Sequence, residues 1–541
     1  MKRIIFDVIA CLALFLLCVG MYVHTLKFQL TYLDDNVWFL DAHSYLKDIS
    51  NLWTVFLRPD LLTGLFYRPL IYFSFIIDTL FYKDSWMVYR ITNLVLHSVN
   101  CCLIYCLLRK FQYDKWIAVW ISSCFAIHPV LTQAIVWIPG RTDSLLAFFV
   151  LLSFICFSNY LDTRKWWQLG LHFIFMIFSF LTKETAVALP SVCFLYIFLF
   201  NQKNISIKLI ISLSTLWLLS LGGYLLLRKL ILGDLSNVSL DYVIKSLWDN
   251  FSAVFVYLGK ILFPVRLSVL PFLQDINLMY GFAAAGILAA GCLLPIKKNW
   301  KKILFGILWF LIFLMPSFIG SFIVHEYRVY IPMIGVMIVL LESNVIQAVV
   351  KRFNKMSFIP AVVIIIFLSS LTWANAQNYK DRYAFWNNAV QTSPHSPLAH
   401  RNLGAMYFLD QRYDAAEKEF IRALQLNPNE YMVNNNLGLI YGLKGDKQKA
   451  QESFFREIKI NPTYDNVYYN LGLFYRDQHK YTQALDAWEK AVELNPRNVD
   501  ARKSLVVYYA RTNNKLAAQK QLLELKKQNI YVPPSIEQMV W

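Results

Sequence analysis

Charge is scarce in this sequence. Only 16% of its 541 residues are Asp, Glu, Lys or Arg, while 57% are hydrophobic, a balance that excludes one soluble domain and leaves room for a membrane body with an appendage. Cysteine is missing from the last 249 residues: all nine lie in or beside apolar runs, and none follows residue 292. A disulfide framework is therefore not expected, and with no paired CxxC and no HxxxH spacing neither is a metal site of those kinds. A small-x-small cleavage site is missing after Met1-Lys2-Arg3 and the roughly twenty mostly apolar residues that follow, so this signal-like start reads as an uncleaved first span. Acid falls short of base, 35 residues against 52, for a net charge of +17. The bases sit in short clusters between apolar runs, where they serve orientation, so nucleic-acid binding is not expected.

What is present is a series of apolar stretches long enough to cross a bilayer, near 4–23, 90–109, 115–136, 143–161, 167–182, 185–200, 206–227, 278–296, 303–321, 329–347 and 357–375. About eleven crossings follow. Two shorter segments, 68–82 and 248–263, read either as spans or as interfacial helices. If both lie in the interface, one side receives every basic cluster: Lys2-Arg3; Arg109, Lys110 and Lys115; Arg164-Lys165; Lys203 and Lys208; Lys297, Lys298, Lys301 and Lys302; Lys351, Arg352 and Lys355. By the positive-inside bias that side is cytoplasmic. The outer side then holds residues 24–89, 137–143, 182–184, 228–277 and 321–328, with everything after about 376. The expected domains are 1–375, a helical membrane domain with 24–89 as its first outer loop, and 376–541 outside the membrane.

The second domain repeats itself. Pro394, Pro428, Pro462 and Pro496 are evenly spaced, as are Leu403-Gly404, Leu437-Gly438 and Leu471-Gly472, a period of 34 that signs tetratricopeptide (TPR) helix pairs. Tyr407, Tyr441 and Tyr475, then Ala416, Ala450 and Ala484, then Phe420, Phe454 and Trp488 keep the same register. Glu457 departs from the usual alanine of a second helix. A half-repeat with Trp386 and Ala389 precedes, and a degenerate repeat around Leu505, Tyr509 and Ala518 follows. Stacked pairs expose a concave groove suited to an extended peptide or a partner helix; the bland alternative is a stack that only packs on its own membrane body.

The residues that suit chemistry all fall on the outer side, in its loops or at the outer ends of the spans. Asp34-Asp35 follow the first span, where a carboxylate can serve as general base or hold a metal; the plain reading is two solvated acids at a helix end. Tyr67-Arg68-Pro69-Leu70 puts a guanidinium at headgroup depth, either for a phosphate or snorkelling to lipid. His128-Pro129-Val130-Leu131-Thr132-Gln133 and Gly140-Arg141-Thr142-Asp143 suggest a lined cavity, against an Arg141–Asp143 structural ion pair and a core His128. Lys183-Glu184, with almost no loop around it, is either functional or a pair that locks two helices to each other. His325-Glu326-Tyr327-Arg328-Val329-Tyr330 suits a phosphate-sugar headgroup, or else forms an interfacial belt.

This ordered set, with its TPR tail, resembles the transmembrane and TPR-containing O-mannosyltransferases of the GT-C glycosyltransferases, across essentially the whole chain. The sequence differs from the family pattern in reading Leu131-Thr132-Gln133 where members often carry His-Thr-Glu, and in placing His325-Glu326 before Tyr327-Arg328 where Glu-Arg-Tyr is usual. The resemblance implies an all-α, polytopic, inverting enzyme. It would move a sugar, mannose in the family, from a polyprenyl-phosphate donor to Ser or Thr of extracytoplasmic polypeptides held by the TPR groove. Asp35, or its neighbour Asp34, would deprotonate the hydroxyl. Arg68, Lys183 and Arg328 would neutralise the leaving lipid phosphate, with Asp143, Glu184 and Glu326 orienting them or the sugar. Tyr67, Arg141, His325 and Tyr330 join the expected donor site, and His128 and Gln133 are further candidates. No cofactor is implied; the minority reading is a divalent cation at Asp35 and Asp143. The compact loops point to a bacterial plasma membrane with the repeats on its periplasmic side. Two other readings stay open: a non-enzymatic membrane-anchored TPR scaffold for envelope assembly, and a GT-C enzyme acting on a glycan or lipid.

Overall fold

The computed structural model of the protein describes residues 2–61, 64–81, 85–201, 205–233, 239–293, 299–319, 324–343, 358–528 and 530–540; Lys203, Lys297, Lys298, Lys351, Arg352 and Lys355 lie outside them. Every regular element among the described residues is helical. The chain divides into two compact units, 1–393 and 394–541. The helix Arg382–Thr392, with Trp386 and Ala389, belongs to the first, where Asn388, Thr392 and Ser393 hydrogen-bond the segment 268–272.

Six helices of the first unit are long and apolar enough to cross a membrane: Arg3–Lys27, Trp86–Lys110, Ile138–Thr163, Ile207–Leu232, Trp300–Phe318 and Ile359–Gln377. The stretch 115–136 is not one straight helix but two, Lys115–Ala126 and Pro129–Val136, bent by 49°. Proline at 129 has no N–H for the helical ladder, and the His128 side chain instead accepts from Val130 N at 3.3 Å, capping the new turn. Shorter apolar helices, Trp166–Phe180, Glu184–Phe200, Met279–Cys292 and Pro332–Glu342, occupy the other expected crossings. The ambiguous segments contain Pro69–Phe81 and Ala253–Leu262. Thirteen and ten residues reach about 20 and 15 Å, short of the ~30 Å of a hydrocarbon core.

The helices have two unlike ends. At one, the described basic clusters meet: Arg109 lies 3.9 Å from Asp7, Lys110 pairs with Asp162, and Lys302 Nζ donates to Phe111 O at 2.8 Å and lies 3.5 Å from Glu342. At the other, the first long loop folds on its own aromatic core of Trp38, Phe39, Tyr72, Phe75 and Tyr89. Gly140 packs on the backbone of Gln133 and Ala134 with no room for a side chain, since a Cβ there would come 2.4 Å from Gln133 O. That contact lets the turn 137–140 double back under the helix that follows.

The second unit is four antiparallel helix pairs, Pro397–Leu409 with Tyr413–Leu426, Val433–Leu443 with Lys447–Ile460, Asp465–Asp477 with Tyr481–Leu494, and Val499–Arg511 with Lys515–Lys527, followed by a last helix, Pro534–Val540. The recurrent glycine is a packing requirement. A Cβ on Gly404, Gly438 or Gly472 would come within 2.9, 2.7 and 2.4 Å of the rings of Phe420, Phe454 and Trp488. The off-pattern Glu457 has a structural task as well. Met432, at φ 66°, leaves Val433–Leu443 without a side-chain cap of its own, and the buried Glu457 carboxylate accepts from Met432 N at 2.6 Å and Asn435 N at 3.2 Å. Restoring the consensus residue with Glu457→Ala is therefore expected to destabilise this unit by about 1–2 kcal/mol, read as a lower thermal midpoint by circular dichroism.

Candidate functional site

One cavity of about 540 Å³ opens at the end of the first unit where the outer-side motifs meet. Its polar wall holds four carboxylates, Asp34, Asp60, Asp143 and Glu184, and four cations, Arg68, Lys183, Arg228 and Arg328. Trp38, Tyr72, Trp137, Tyr224 and Tyr327 supply aromatic surface. Charges in so confined a place need partners, and the partners come from distant segments.

The adjacent acids take different places. Asp35 is fully buried; its carboxylate accepts from Thr31 N at 2.7 Å, Thr31 Oγ1 at 3.0 Å and Tyr32 N at 2.8 Å. These bonds hold Tyr32 in a left-handed conformation, φ 60°, that costs a side-chain-bearing residue roughly 1–2 kcal/mol. Asp35 does not line the cavity; Asp34, one residue on the other side of the turn, does. Burial, then the neighbouring Asp35, push the Asp34 carboxyl up to about 6. Burial raises Asp35 too, against the hydrogen bonds from Thr31.

The basic motifs are bound crosswise. Arg68 grips Glu184 through Nε and Nη2 at 3.0 and 2.8 Å and lies 4.1 Å over the Phe66 ring. Lys183 Nζ donates to both oxygens of Asp143 at 2.8 and 2.7 Å and faces the Tyr327 ring at 5.2 Å. Lys183 and Glu184, neighbours in sequence, thus serve different partners and do not compensate each other. Arg328 Nη1 donates to Ser317 O at 2.9 Å. Arg228 Nε is buried with no hydrogen-bond partner among the described residues.

Several expected site residues lie elsewhere. Arg141 pairs not with Asp143 but with Asp78 at 2.6 Å, and also donates to Asn93 Oδ1 and Tyr89 O at 2.8 and 2.7 Å, all within the core. Tyr67 OH donates to Phe56 O at 2.9 Å. Glu326 Oε1 accepts from Lys260 Nζ at 2.6 Å and Ser268 N at 2.9 Å. His128 Nδ1 accepts from Val130 N, so Nε2 carries the proton it gives to Ile261 O at 3.0 Å, a core histidine. Gln133 Nε2 donates to Val269 O at 3.2 Å. His325 stacks on Tyr327, ring centroids 4.9 Å apart, behind the cavity wall. Tyr330 is buried with its OH 2.7 Å from His97 Nδ1. His97, Cys18 and Cys101 place ligand atoms within 4.8 Å of one another, yet both nitrogens of His97 are engaged, Nε2 with Ala126 O at 2.9 Å.

Arg228 and Tyr224 were not among the residues singled out from the sequence. The signal was a cation, Arg228-Lys229, at the outer end of the run 206–227, where the positive-inside bias expects few. Asp78 and Lys260 were likewise visible as lone charges inside the apolar segments 68–82 and 248–263.

Tetratricopeptide repeat models match residues 397–430, 433–464 and 466–498. The chain is similar to human protein O-mannosyl-transferase TMTC3, 22% identical over 405 residues, which cover 66% of this chain and 44% of that protein. It is similar to a Caenorhabditis elegans protein O-mannosyl-transferase, 24% identical over 393 residues, 66% of this chain and 53% of that one. Drosophila melanogaster protein O-mannosyl-transferase Tmtc2 is 29% identical over 138 residues, 24% of this chain and 15% of its own. The chain thus spans about half the length or less of these curated relatives.

The two kinds of arginine should respond differently to substitution. Arg141 and Asp78 are 0% and 5% exposed, so Arg141→Met, which strands a buried carboxylate, should destabilise the first unit by about 3–5 kcal/mol. Arg68→Met, at a pair 24% and 28% exposed, should cost much less. Thermal unfolding of both variants in detergent checks the difference.

Proposed function

We propose that the chain is an integral-membrane, inverting glycosyltransferase. It takes a sugar, mannose by analogy with relatives named protein O-mannosyl-transferases, from a polyprenyl-phosphate donor and attaches it to Ser or Thr hydroxyls of extracytoplasmic polypeptides that the repeat unit binds. The observation that carries the reading is one cavity combining the elevated carboxyl of Asp34 with Arg68, Lys183, Arg228 and Arg328. A bacterial plasma membrane, with the cavity and repeats on its outer side, is the setting we favour from the compact loops and the basic clusters.

In this reading the Asp34 carboxylate accepts the proton of the acceptor hydroxyl as its oxygen attacks the anomeric carbon, and the bond from that carbon to the phosphate oxygen breaks. The lipid phosphate gains negative charge as it leaves, and the four cations stand where such charge can be met by fixed donors. Glu184 and Asp143 hold Arg68 and Lys183 in place before substrate arrives, limiting the reorganisation needed during reaction. Arg228, whose Nε is unengaged among the described residues, is our choice for direct phosphate contact. It stands on the helix Ile207–Leu232, whose Leu225 lines the cavity and whose Leu226 and Leu230 face outward, an apolar track suited to an isoprenoid chain.

No metal enters this scheme. Asp35 accepts three hydrogen bonds, and both oxygens of Asp143 accept from Lys183. Arg141, Tyr67, Glu326, Tyr330, His128 and Gln133 support the site from behind in this reading, with Asp35 fixing the turn that aims Asp34.

Membranes containing the protein should transfer mannose from polyprenyl-phosphate-mannose to a Ser/Thr peptide. Asp34→Asn should lower turnover by about 10²–10⁴-fold in folded protein. A base must be ionised, and a carboxyl raised to about 6 loses its charge as pH falls through that value, so the rate should decline on the acid side near pH 6. Transfer undiminished by Asp34→Asn, or a product on glycan or lipid alone, would remove this proposal.

A further inference from the structure

The turn that carries Asp34 is fastened from outside itself. Gln29 N donates to Lys380 O at 2.8 Å and Gln29 O accepts from Arg90 Nη2 at 2.8 Å, so the chain is held on both edges just before the strained Tyr32. Tyr32, at φ 60°, lies beneath a cation: the Arg382 guanidinium carbon stands 5.3 Å from the centre of its ring. Both side chains are half-buried, where a cation over a ring loses less to water than on an open surface. Lys380 and Arg382 belong to the far end of the first unit, just after the helix Ile359–Gln377.

The base on which Arg382 stands is fixed bond by bond. Thr372 Oγ1 donates to Ile127 O at 2.5 Å and Asn375 Nδ2 to Pro129 O at 3.0 Å, which pins the end of Ile359–Gln377 to the bend at 127–129. The Asp381 carboxylate accepts from Tyr383 N and Ala384 N, each at 2.9 Å, capping the helix Arg382–Thr392 and setting where its first residue points. At the other end Asn388 Oδ1 accepts from Val269 N at 3.1 Å, and Ser393 Oγ accepts from Phe272 N at 3.2 Å and donates to Leu270 O at 2.9 Å. Arg382 also stands 5.6 Å from the ring of Tyr383 beside it. A cation in the first turn of a helix faces the positive end of the helix dipole, so Arg382 gains nothing there from its own helix. Its return is across the fold, at Tyr32.

A tyrosine in the left-handed region reverts to negative φ unless its surroundings hold it. The Asp35 carboxylate holds the backbone from within the turn, and Arg382 holds the ring from outside. Should Tyr32 relax, the residues after it rotate together and the Asp34 carboxyl turns from the cavity wall toward water. We infer that Arg382 is a positioning residue for Asp34: its guanidinium keeps the left-handed Tyr32 in place, and Tyr32 keeps the Asp34 carboxyl in the cavity. Arg382 does not itself line that cavity, so it acts only through the turn. That Asp34 is a base rests on the function proposed above; its placement by Arg382 does not.

The full-length protein in lipid nanodiscs is treated from about pH 4 to pH 8 with dicyclohexylcarbodiimide, which adds to a carboxyl in its protonated form, and the label on Asp34 is read by tandem mass spectrometry. In the wild type, labelling should fall to half near pH 6, where burial and the neighbouring Asp35 hold this carboxyl. Arg382→Ala and Tyr32→Leu remove the same contact from its two sides. Each should move the midpoint down by about half a unit, because an Asp34 released into water returns toward the ordinary carboxylate range. The double variant should move it no further than either single one, and Arg382→Lys, which keeps a cation over the ring, should restore the wild-type midpoint. In the transfer assay Arg382→Ala should lower kcat about threefold and leave the donor KM within about twofold, since the cations of the cavity are untouched. An unchanged midpoint in either single variant, or additive shifts in the double one, overturns the inference. The two variants alter opposite partners, so if one fails to fold the other still decides. A midpoint that moves as expected in protein that transfers no sugar defeats the enzyme reading alone.

Discussion

Inside a body of apolar helices an ionised group cannot stand alone, since leaving it uncompensated in a low-dielectric interior costs more than most other interactions supply. The first unit meets this constraint by pairing charges far apart in sequence: Arg68 with Glu184, Arg141 with Asp78, Lys183 with Asp143, Lys260 with Glu326. Each pair pins one segment of the unit to another. The cavity is what these ties leave open, so its shape and its charge have the same origin.

The pairing also separates support from chemistry. Arg141 and Asp78 are sealed in the core, while Arg68 and Lys183 reach the cavity with their partners beside them. A guanidinium or ammonium held by a carboxylate keeps its charge and its position, and a phosphate can then approach groups that are already aimed. Asp34 is the contrasting case, a carboxyl with no cation bonded to it among the described residues, beside a neighbour that accepts three hydrogen bonds.

Much of this was legible in the sequence, for physical reasons that also set the limit. Apolar runs mark helices because the backbone must satisfy its own hydrogen bonds in lipid, and a 34-residue period marks stacked pairs because each must bury the same face. Short polar motifs in such a background stand out by cost. Partner choice does not stand out. Arg141 and Asp143 are two apart on a helix and face different ways, and Lys183 and Glu184 diverge where a helix ends, so proximity along the chain misled in both places. Tyr67, Glu326 and Tyr330 sit in the right motifs but turn inward, a matter of side-chain direction that residue type does not reveal. Arg228 was hidden by the opposite effect, standing with Lys229 outside any of the motifs.

Glu457 bears on how the repeats can have changed through time. Its carboxylate reaches from the second helix of one pair to the exposed start of the first, where Met432 supplies no cap. The corresponding positions in the neighbouring pairs are Ala423 and Ala491, which have no such group to offer. Exchange of a single helix between repeats by recombination would therefore leave either a bare amide end or a buried carboxylate with nothing to bind. Duplication or loss of 34-residue blocks that carry both helices of a pair keeps this contact intact.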